Sequence, residues 1–422
     1  MKLSLSSFFP PSTEYFYSFP AGEDSSFFNI DPAWKDELFA MRPMVCAGPN
    51  VKVITFAATQ AHNIKSIIKE LGLPEMSSKN IVLLPPKIDS SIQGKKRNNI
   101  IKSALKKMVC KNKLIMAQPF LDDKLESTYQ FDPKLTVWLN DKKNLQEYID
   151  SSHLPKRFLS YNSGADFASG AEVIGCPCVI KVSSSSSGDG VRICRNASDI
   201  KKTKKIFSKI KGSIIVEEYI DFIYNLGIQF GIPYNKKKSI KIIGYNEQLV
   251  SSDGEYLGAV VNINKKISVL KDVNNFLLKE ILPKVRKIGW YGVGGFDVLI
   301  DKNNKFYFID SNFRMTAVTS YLYLIKNKII NKSIACFTGV FKGGEDKFRE
   351  VVLPLAAIKS KDRCMQITAV SNAGNCYHFN AAFFFNKPKE IPVISAKLLK
   401  KGISSNVLSR FCKQSEFSGI IK

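Results

Sequence analysis

Histidine is scarce: three in 422 residues, alongside three tryptophans. That is too few for a histidine-built metal centre. The nine cysteines lack the paired spacing of a zinc site, and Cys176 and Cys178 stand one residue apart. An odd, dispersed set of thiols argues against a disulfide framework and for a reducing, cytoplasmic setting. No apolar run approaches the roughly 18 residues of a membrane helix, so membrane insertion is not expected. The opening stretch, MKLSLSSFFPPSTEYFYSF, has one lysine and then polar and proline interruptions, which argues against a cleaved signal peptide. No internal repeat is visible, and the glycine fingerprint of a dinucleotide site is missing. Acidic residues are also short: 37 Asp and Glu against 62 Lys and Arg, a net charge of +25. Such a balance admits a nucleic acid, an acidic membrane surface or an anionic substrate as partner. The lysines fall in many short, evenly spread runs (Lys95-Lys96-Arg97, Lys204-Lys205, Lys400-Lys401), which favours a solvated surface over one basic patch.

What is present is a chain long enough for two or three domains, 45% hydrophobic and 11% aromatic. Residues 1–44 show no clear pattern. Strand-like runs at 51–57, 81–84 and 114–117 alternate with helical patterns at 62–71 and 97–109, which predicts a small parallel α/β domain. A boundary falls near Pro133. A helix is expected from Asn140-Asp141 through 142–149, and another over 163–175. Strands 178–182 and 191–194 flank a Ser/Gly loop, SSSSSGDG. A basic helix follows at 197–210, then strands at 214–220, 226–232 and 240–245, and a helix over 273–288. A helix from Tyr321 to about residue 330 and strand-like pieces at 350–357 and 377–385 complete the reading. The expected division is 1–135, 136–340 with a lid subdomain at about 142–213, and a C-terminal region 341–422 in which no chemistry is legible.

The segment 290–316, WYGVGGFDVLIDKNNKFYFIDSNFRMT, reads as a β-hairpin turning at Asn303-Asn304. A two-residue turn there sets Asp297 directly opposite Asp310 and puts Asn312 on the same face, opposite Gly295. Opposed carboxylates about 5 Å apart repel unless a cation lies between them. A hard divalent ion such as Mg²⁺ shared with phosphates suits such oxygen ligands. A slip of one residue in the turn would send Asp310 to the other face, and a bare solvated face is the competing account. In the Ser/Gly loop, small residues let backbone N–H groups approach an anion, and Gly188 and Gly190 give it freedom to fold over a ligand. Lys181, on the strand before it, offers a point charge for phosphate. By itself the segment reads first as a plain solvent loop, and it is not a Walker loop. Glu217 and Glu218 end a strand where a purine amino group or ribose hydroxyl would find acceptors.

Taken in order, the motifs Asn140-Asp141-Lys142, PCVIKVSSSSSGDGV (177–191), IVEEYI (215–220), 295–300 and FIDSNFRMT (308–316) resemble the ATP-grasp superfamily over about 139–324. The resemblance implies an N-terminal α/β domain of the pre-ATP-grasp kind, followed by an ATP-grasp fold that is α+β in its catalytic unit. It implies a ligase joining a small-molecule or peptide carboxylate to an amine through an acyl phosphate, with ATP and Mg²⁺. Lys142 and Lys181 would hold ATP phosphates. Residues 183–190, with Ser185, Ser186, Ser187, Gly188 and Gly190, would form the phosphate lid. Glu217, Glu218 and Ile220 would meet the adenine region. Asp297, Asp310 and Asn312 would bind Mg²⁺, and Arg314 would face the acyl-phosphate and carboxylate end. Two departures stand out: the family often has Glu at both metal carboxylate positions, and Tyr224-Asn225 stands where a ribose-binding Glu is common. The pairing of Gln118-Pro119-Phe120 with LNDKKNL (139–145) is similar to the branch that makes peptide or amide bonds. A homo-oligomer is compatible with this reading. The alternative is a basic nucleic-acid- or membrane-binding protein on a degenerate ATP-grasp scaffold.

Overall fold

The computed structural model describes residues 2–11, 14–18, 33–56, 61–72, 81–84, 94–109, 112–121, 123–161, 167–184, 190–208, 212–251, 254, 256–373 and 375–413. Three sheets organise them. The first contains β1 (Tyr15–Ser18), β2 (Val51–Phe56), β3 (Ile81–Leu84) and β4 (Lys113–Met116) in the order β3-β2-β1-β4, all parallel. Helices Ala61–Leu71 and Gly94–Val109 make the crossovers, as the alternating pattern predicts. The central strand β1 comes from the opening stretch in which the sequence shows no pattern. It is only four residues long, too short for periodicity to declare itself.

The second sheet is small and antiparallel. It contains β5 (Arg157–Tyr161), β6 (Cys178–Val182), β7 (Val191–Cys194) and β8 (Ile214–Glu218), ordered β5-β8-β6-β7. Helices Phe167–Ile174 and Ala197–Phe207 cover one face. Phe167, Ile180, Val182, Phe207, Ile214 and Val216 pack there into a dry cluster.

The third sheet has nine strands: β9 (Phe222–Ile232), β10 (Lys241–Val250), β11 (Tyr256–Val261), β12 (Gly292–Asp301), β13 (Phe306–Asn312), β14 (Ser333–Lys342), β15 (Met365–Ala373), β16 (Cys376–Phe385) and β17 (Ile403–Ser404). They run β13-β12-β9-β10-β11-β14-β16-β15, with β17 pairing β14. Residue 340, the expected boundary, lies inside β14, and the sheet continues through it. One apolar cluster joins Tyr15 and Val51 of the first sheet, and Leu71 of the helix Ala61–Leu71, to Phe341, Ile367 and Phe379 of this one. A second packs β9, β12 and β13 onto the helical segment Leu270–Lys287 and onto Trp290 and Phe313.

Several expectations need correction. No helix starts at Asn140. A helix Pro133–Asn140, capped by Asp132, ends there, and the expected body 142–149 is a 3₁₀ segment, Lys142–Glu147, capped by Asp141. The piece 350–357 is not a strand. It falls in helices Glu345–Val351 and Leu353–Ala356, with Pro354 in the first turn of the second. Strands β11 and β15 and the first half of β14 carry no alternation to read, because most of their residues are buried.

Candidate active site

The hairpin β12–β13 places Asp297 opposite Asp310 and Gly295 opposite Asn312, as expected, but by another route. The turn has three residues, not two. Asn304 N–H bonds the Asp301 carbonyl, and Asn304 takes a left-handed φ of 61°. That puts the first rungs, Ile300 with Phe306 through Val298 with Phe308, one residue out of the expected register. A β-bulge at Ile309 then inserts one extra residue and restores the register at the two aspartates. A bulged residue leaves a carbonyl outside the ladder. Lys181 Nζ donates to the Ile309 carbonyl at 2.7 Å.

The floor beneath the aspartates is cleared by glycine. A Cβ on Gly295 would sit 2.5 Å from Gln229 Nε2, and one on Gly227 would sit 2.8 Å from Asn246 Oδ1. Gln229 is held by Thr319, whose hydroxyl donates to Oε1 at 2.9 Å.

Asp297 is the electrostatically strained member of the pair. Burial first, and the Asp310 charge second, push its carboxyl up to about 7 from an ordinary 3.8. Gln248 of β10 supplies the opposing effect: its Nε2 donates to Asp297 Oδ1 at 2.6 Å. Asp310 has its own cation, Lys142 Nζ at 3.2 Å, and its Oδ1 accepts the Ser311 N–H at 2.8 Å. Asn312 Nδ2 lies 3.5 Å from Asp297 Oδ2. Among the described residues no three His, Cys, Asp or Glu converge. The set is two carboxylates and one amide, all hard oxygen donors, and it suits Mg²⁺ better than a softer metal.

The small sheet contributes the second charged cluster. Glu217 is 2% exposed and lies between two cations: Lys181 Nζ at 2.5 Å on Oε2, and Arg157 at 2.6 Å on Oε1. The Arg157 contact is an ion pair without hydrogen-bond alignment. Both Glu217 oxygens are thus engaged by cations, so here the side chain anchors Lys181 and Arg157 rather than offering a bare acceptor. Burial pulls the Lys181 ammonium below its ordinary range, against the pull of Glu217. Arg157 also donates to the Lys142 carbonyl at 3.1 Å, and Lys142 N–H bonds the Ser183 carbonyl at 3.0 Å. The two clusters are therefore wired together through the base of the Ser/Gly loop. Glu218 Oε1 accepts the Lys156 N–H at 2.9 Å.

Helix Pro133–Asn140 fixes the far side. Ser311 Oγ bonds the Leu139 carbonyl at 2.7 Å, and Asn140 Oδ1 accepts both Phe313 N–H at 2.8 Å and Arg314 Nη1 at 2.9 Å. Lys142, Lys181, Glu217, Glu218, Ile220, Asp297, Asp310, Asn312 and Arg314 all line one cavity of about 400 Å³. Gly190 is not among its lining. The Gly190 carbonyl accepts the Val182 N–H at 2.8 Å and closes the base of the loop. Ser185, Ser186, Ser187 and Gly188 lie outside the described residues. Arg157, Gln248 and Gln229 were not legible as site residues. The only available signal was the position of Arg157 just after Pro155 at a strand start. No helix among the described residues is long and apolar enough to cross a membrane.

Residues 155–312 match a family model described as L-aspartate–L-methionine ligase, ATP grasp. Formate-dependent phosphoribosylglycinamide formyltransferase of Wolinella succinogenes is 31% identical over 148 residues, 34% of this chain and 35% of that protein. The Bacillus velezensis protein of the same description is 29% identical over 181 residues, 42% and 44% of the two chains. The chain thus spans less than half the length of these curated relatives. Among solved structures, the biotin carboxylase–β-γ-ATP complex of Campylobacter jejuni superposes with a TM-score of 0.59 at 14% identity, over 95% of each chain. The ADP complex of N5-carboxyaminoimidazole synthetase from Staphylococcus aureus gives 0.55 at 11%, over 95% of this chain and 98% of that one. At such identities the likeness is one of fold, and it covers the parallel N-terminal sheet as well as the catalytic unit. Motif order and the 155–312 match agree on an ATP-grasp unit within this chain, and the solved structures share its fold.

Proposed function

We propose that this protein is an ATP-dependent carboxylate–amine ligase that forms an amide or peptide bond and releases ADP and phosphate. The observation that carries the proposal is a single cavity holding the opposed Asp297–Asp310 pair, two buried lysines and Arg314. The description of the matching family model belongs to the same reaction class. ATP would lie with its adenine against β8 and residues Glu218 to Ile220, and its phosphates toward Lys181 and Lys142. Asp297, Asp310 and Asn312 would hold Mg²⁺, which supplies charge neutralisation at the transferring phosphoryl group. Arg314 would grip the substrate carboxylate as it attacks the γ-phosphorus, since a planar fork suits two oxygens. The carboxylate oxygen bonds to phosphorus, the bond to the leaving ADP oxygen breaks, and an amine then displaces phosphate from the acyl carbon. Residues 183–190 would cover the phosphates and exclude water during that interval. The eight described cysteines are free thiols, in keeping with a reducing cytoplasm.

The test is ADP release with Mg-ATP across a panel of amino acids and dipeptides, with products weighed by mass spectrometry. The expected product is one acid joined to one amine with loss of water. Absence of ADP release with every acid, together with no Mg-ATP stabilisation, overturns the proposal. Binding of nucleic acid or anionic vesicles that collapses steeply with salt would instead support the binding-protein reading.

A further inference from the structure

Cys176 and Cys178 stand one residue apart in the sequence, and the fold brings them a third thiol. Cys178 of β6 lies directly opposite Cys194 of β7. Both are fully buried in the dry cluster under the small sheet, while Cys176 is exposed. The Cys178 thiol is hydrogen-bonded to Cys194 on one side and to Cys176 on the other. The three sulfurs therefore make a chain from solvent to core.

Register decides whether the inner two can bond. Val182 N–H donates to the Gly190 carbonyl at 2.8 Å, so that rung is a hydrogen-bonded pair. The rung Cys178–Cys194 lies four residues along, an even step, and is a pair of the same kind. Such pairs hold their Cα atoms about 5.5 Å apart, inside the span of about 4.4–6.8 Å that a disulfide bridges. Side chains directly opposite also share a face. A bond between the two sulfurs thus needs no change of register.

The two thiols are chemically unequal. The hydrogen bond from Cys178 brings the Cys194 thiol down to about 7 from an ordinary 9. Burial opposes that, and Thr203, with Oγ1 3.4 Å from the sulfur, assists. Of the charged neighbours, Asp199 raises it and Arg192 lowers it. Cys178 is driven the opposite way by the same bond and by burial. One member of the pair therefore supplies thiolate, the form that exchanges.

We propose that Cys176, Cys178 and Cys194 form a thiol–disulfide exchange site that takes a small disulfide such as oxidised glutathione and yields a Cys178–Cys194 bridge. The proposal does not depend on the ligase reading. Cys176, the exposed member, attacks the glutathione disulfide and releases one glutathione thiolate. Cys178 attacks the Cys176 sulfur and releases the second. Cys194 then attacks the Cys178 sulfur and returns Cys176 as a thiol. Two protein S–H groups become one S–S bond, and their protons leave on the two glutathiones. Strand β7 is the edge of the small sheet and pairs only with β6, which carries Lys181. The bridge would remove the separate opening of β7. Redox state then sets how firmly the two strands flanking residues 183–190 are joined.

The test uses the whole native protein in glutathione buffers of stepped oxidised-to-reduced ratio, with acid quench, alkylation of the unfolded chain and peptide mass spectrometry. The expected product is a linked Cys178–Cys194 peptide pair that dithiothreitol reverses. Cys176→Ser should slow its appearance about tenfold and leave its final extent unchanged. Hydrogen exchange in peptides from β6 and β7 should slow about tenfold in the bridged protein. The mapping is done on the parent chain, so no core variant is needed, and an unchanged melting curve certifies the fold of Cys176→Ser. A glutathione adduct that rests at Cys176 while Cys178 and Cys194 stay reduced overturns the proposal. So does pairing of Cys178 or Cys194 with any other cysteine as the end product, an equal bridging rate in Cys176→Ser, or exchange in β6 and β7 that ignores the bridge.

Discussion

Replacing Asp297 with asparagine should separate the stability of the protein from its activity, in opposite directions. In the folded protein the Asp297 carboxyl titrates at about 7, against 3.8 ordinarily. A raised carboxylate pKa means that the folded state disfavours the charge. The contribution to stability is fully present below 3.8, where the group is protonated folded or unfolded, and is lost as pH rises through 7. The difference of about three units would be worth about 4 kcal/mol if the site were dry, at 1.36 kcal/mol per unit. The side chain is partly exposed, so water screens the repulsion and about 1–2 kcal/mol is the realistic share. For 422 residues the unfolding entropy is about 0.9 kcal/mol/K, so the gain at pH 8 is about 1–2 °C in Tm. The asparagine amide keeps an oxygen in place but removes one of the two metal charges. Mg-ATP at a hundredfold over its Kd should stabilise the native enzyme by about 2.7 kcal/mol, and most of that should vanish. The assay is differential scanning calorimetry of both proteins at pH 8 and pH 5, with and without Mg-ATP, beside ADP release. The Asp297→Asn advantage should shrink at pH 5. A variant no more stable than the parent at pH 8, or one that turns over normally, would refute the opposed-carboxylate account.

Glu217→Gln leaves Arg157 and Lys181 beside each other without their shared anion, and should cost about 3–5 kcal/mol in urea unfolding. A loss below about 1 kcal/mol would show that the cluster is not a unit. Gln248→Leu removes the donor to Asp297 Oδ1; Mg²⁺ dependence of ADP release should move to higher concentration at constant ATP, and an unchanged dependence would count against a positioning role. Gly295→Ala drives a methyl into Gln229, so about 1–3 kcal/mol of stability should go, with the Gln229–Thr319 contact broken in a structure of the variant. Arg314→Lys should lower kcat/KM for the acid tenfold or more while the nucleotide Kd, measured without acid, stays within threefold. Collapse of nucleotide binding would place Arg314 on the phosphates instead.

The sequence by itself determined what is local. The crossover helices, read at 62–71 and 97–109 and found at 61–71 and 94–109, were legible because a parallel sheet must alternate strand and helix. The shared face of Asp297, Asp310 and Asn312 was legible because residues two apart on a strand share a side, and a hairpin joins its two strands within a few residues. Even so, a two-residue turn puts Asp310 on the right face only because the real turn is one residue longer and the bulge at Ile309 offsets it. The Ile309 carbonyl at the bulge is taken by Lys181, which lies 128 residues away in the chain. Only the tertiary structure could decide that. It also decided that Arg157 and Lys181 share Glu217, since those residues meet across neighbouring strands of the small sheet, and that Gln248 reaches Asp297 from β10. The far end of the cavity depended wholly on folding. Lys35, Phe39, Thr338 and Asn380 belong to segments whose local pattern records only their packing, and their convergence follows from the single apolar core that joins the first sheet to the last strands.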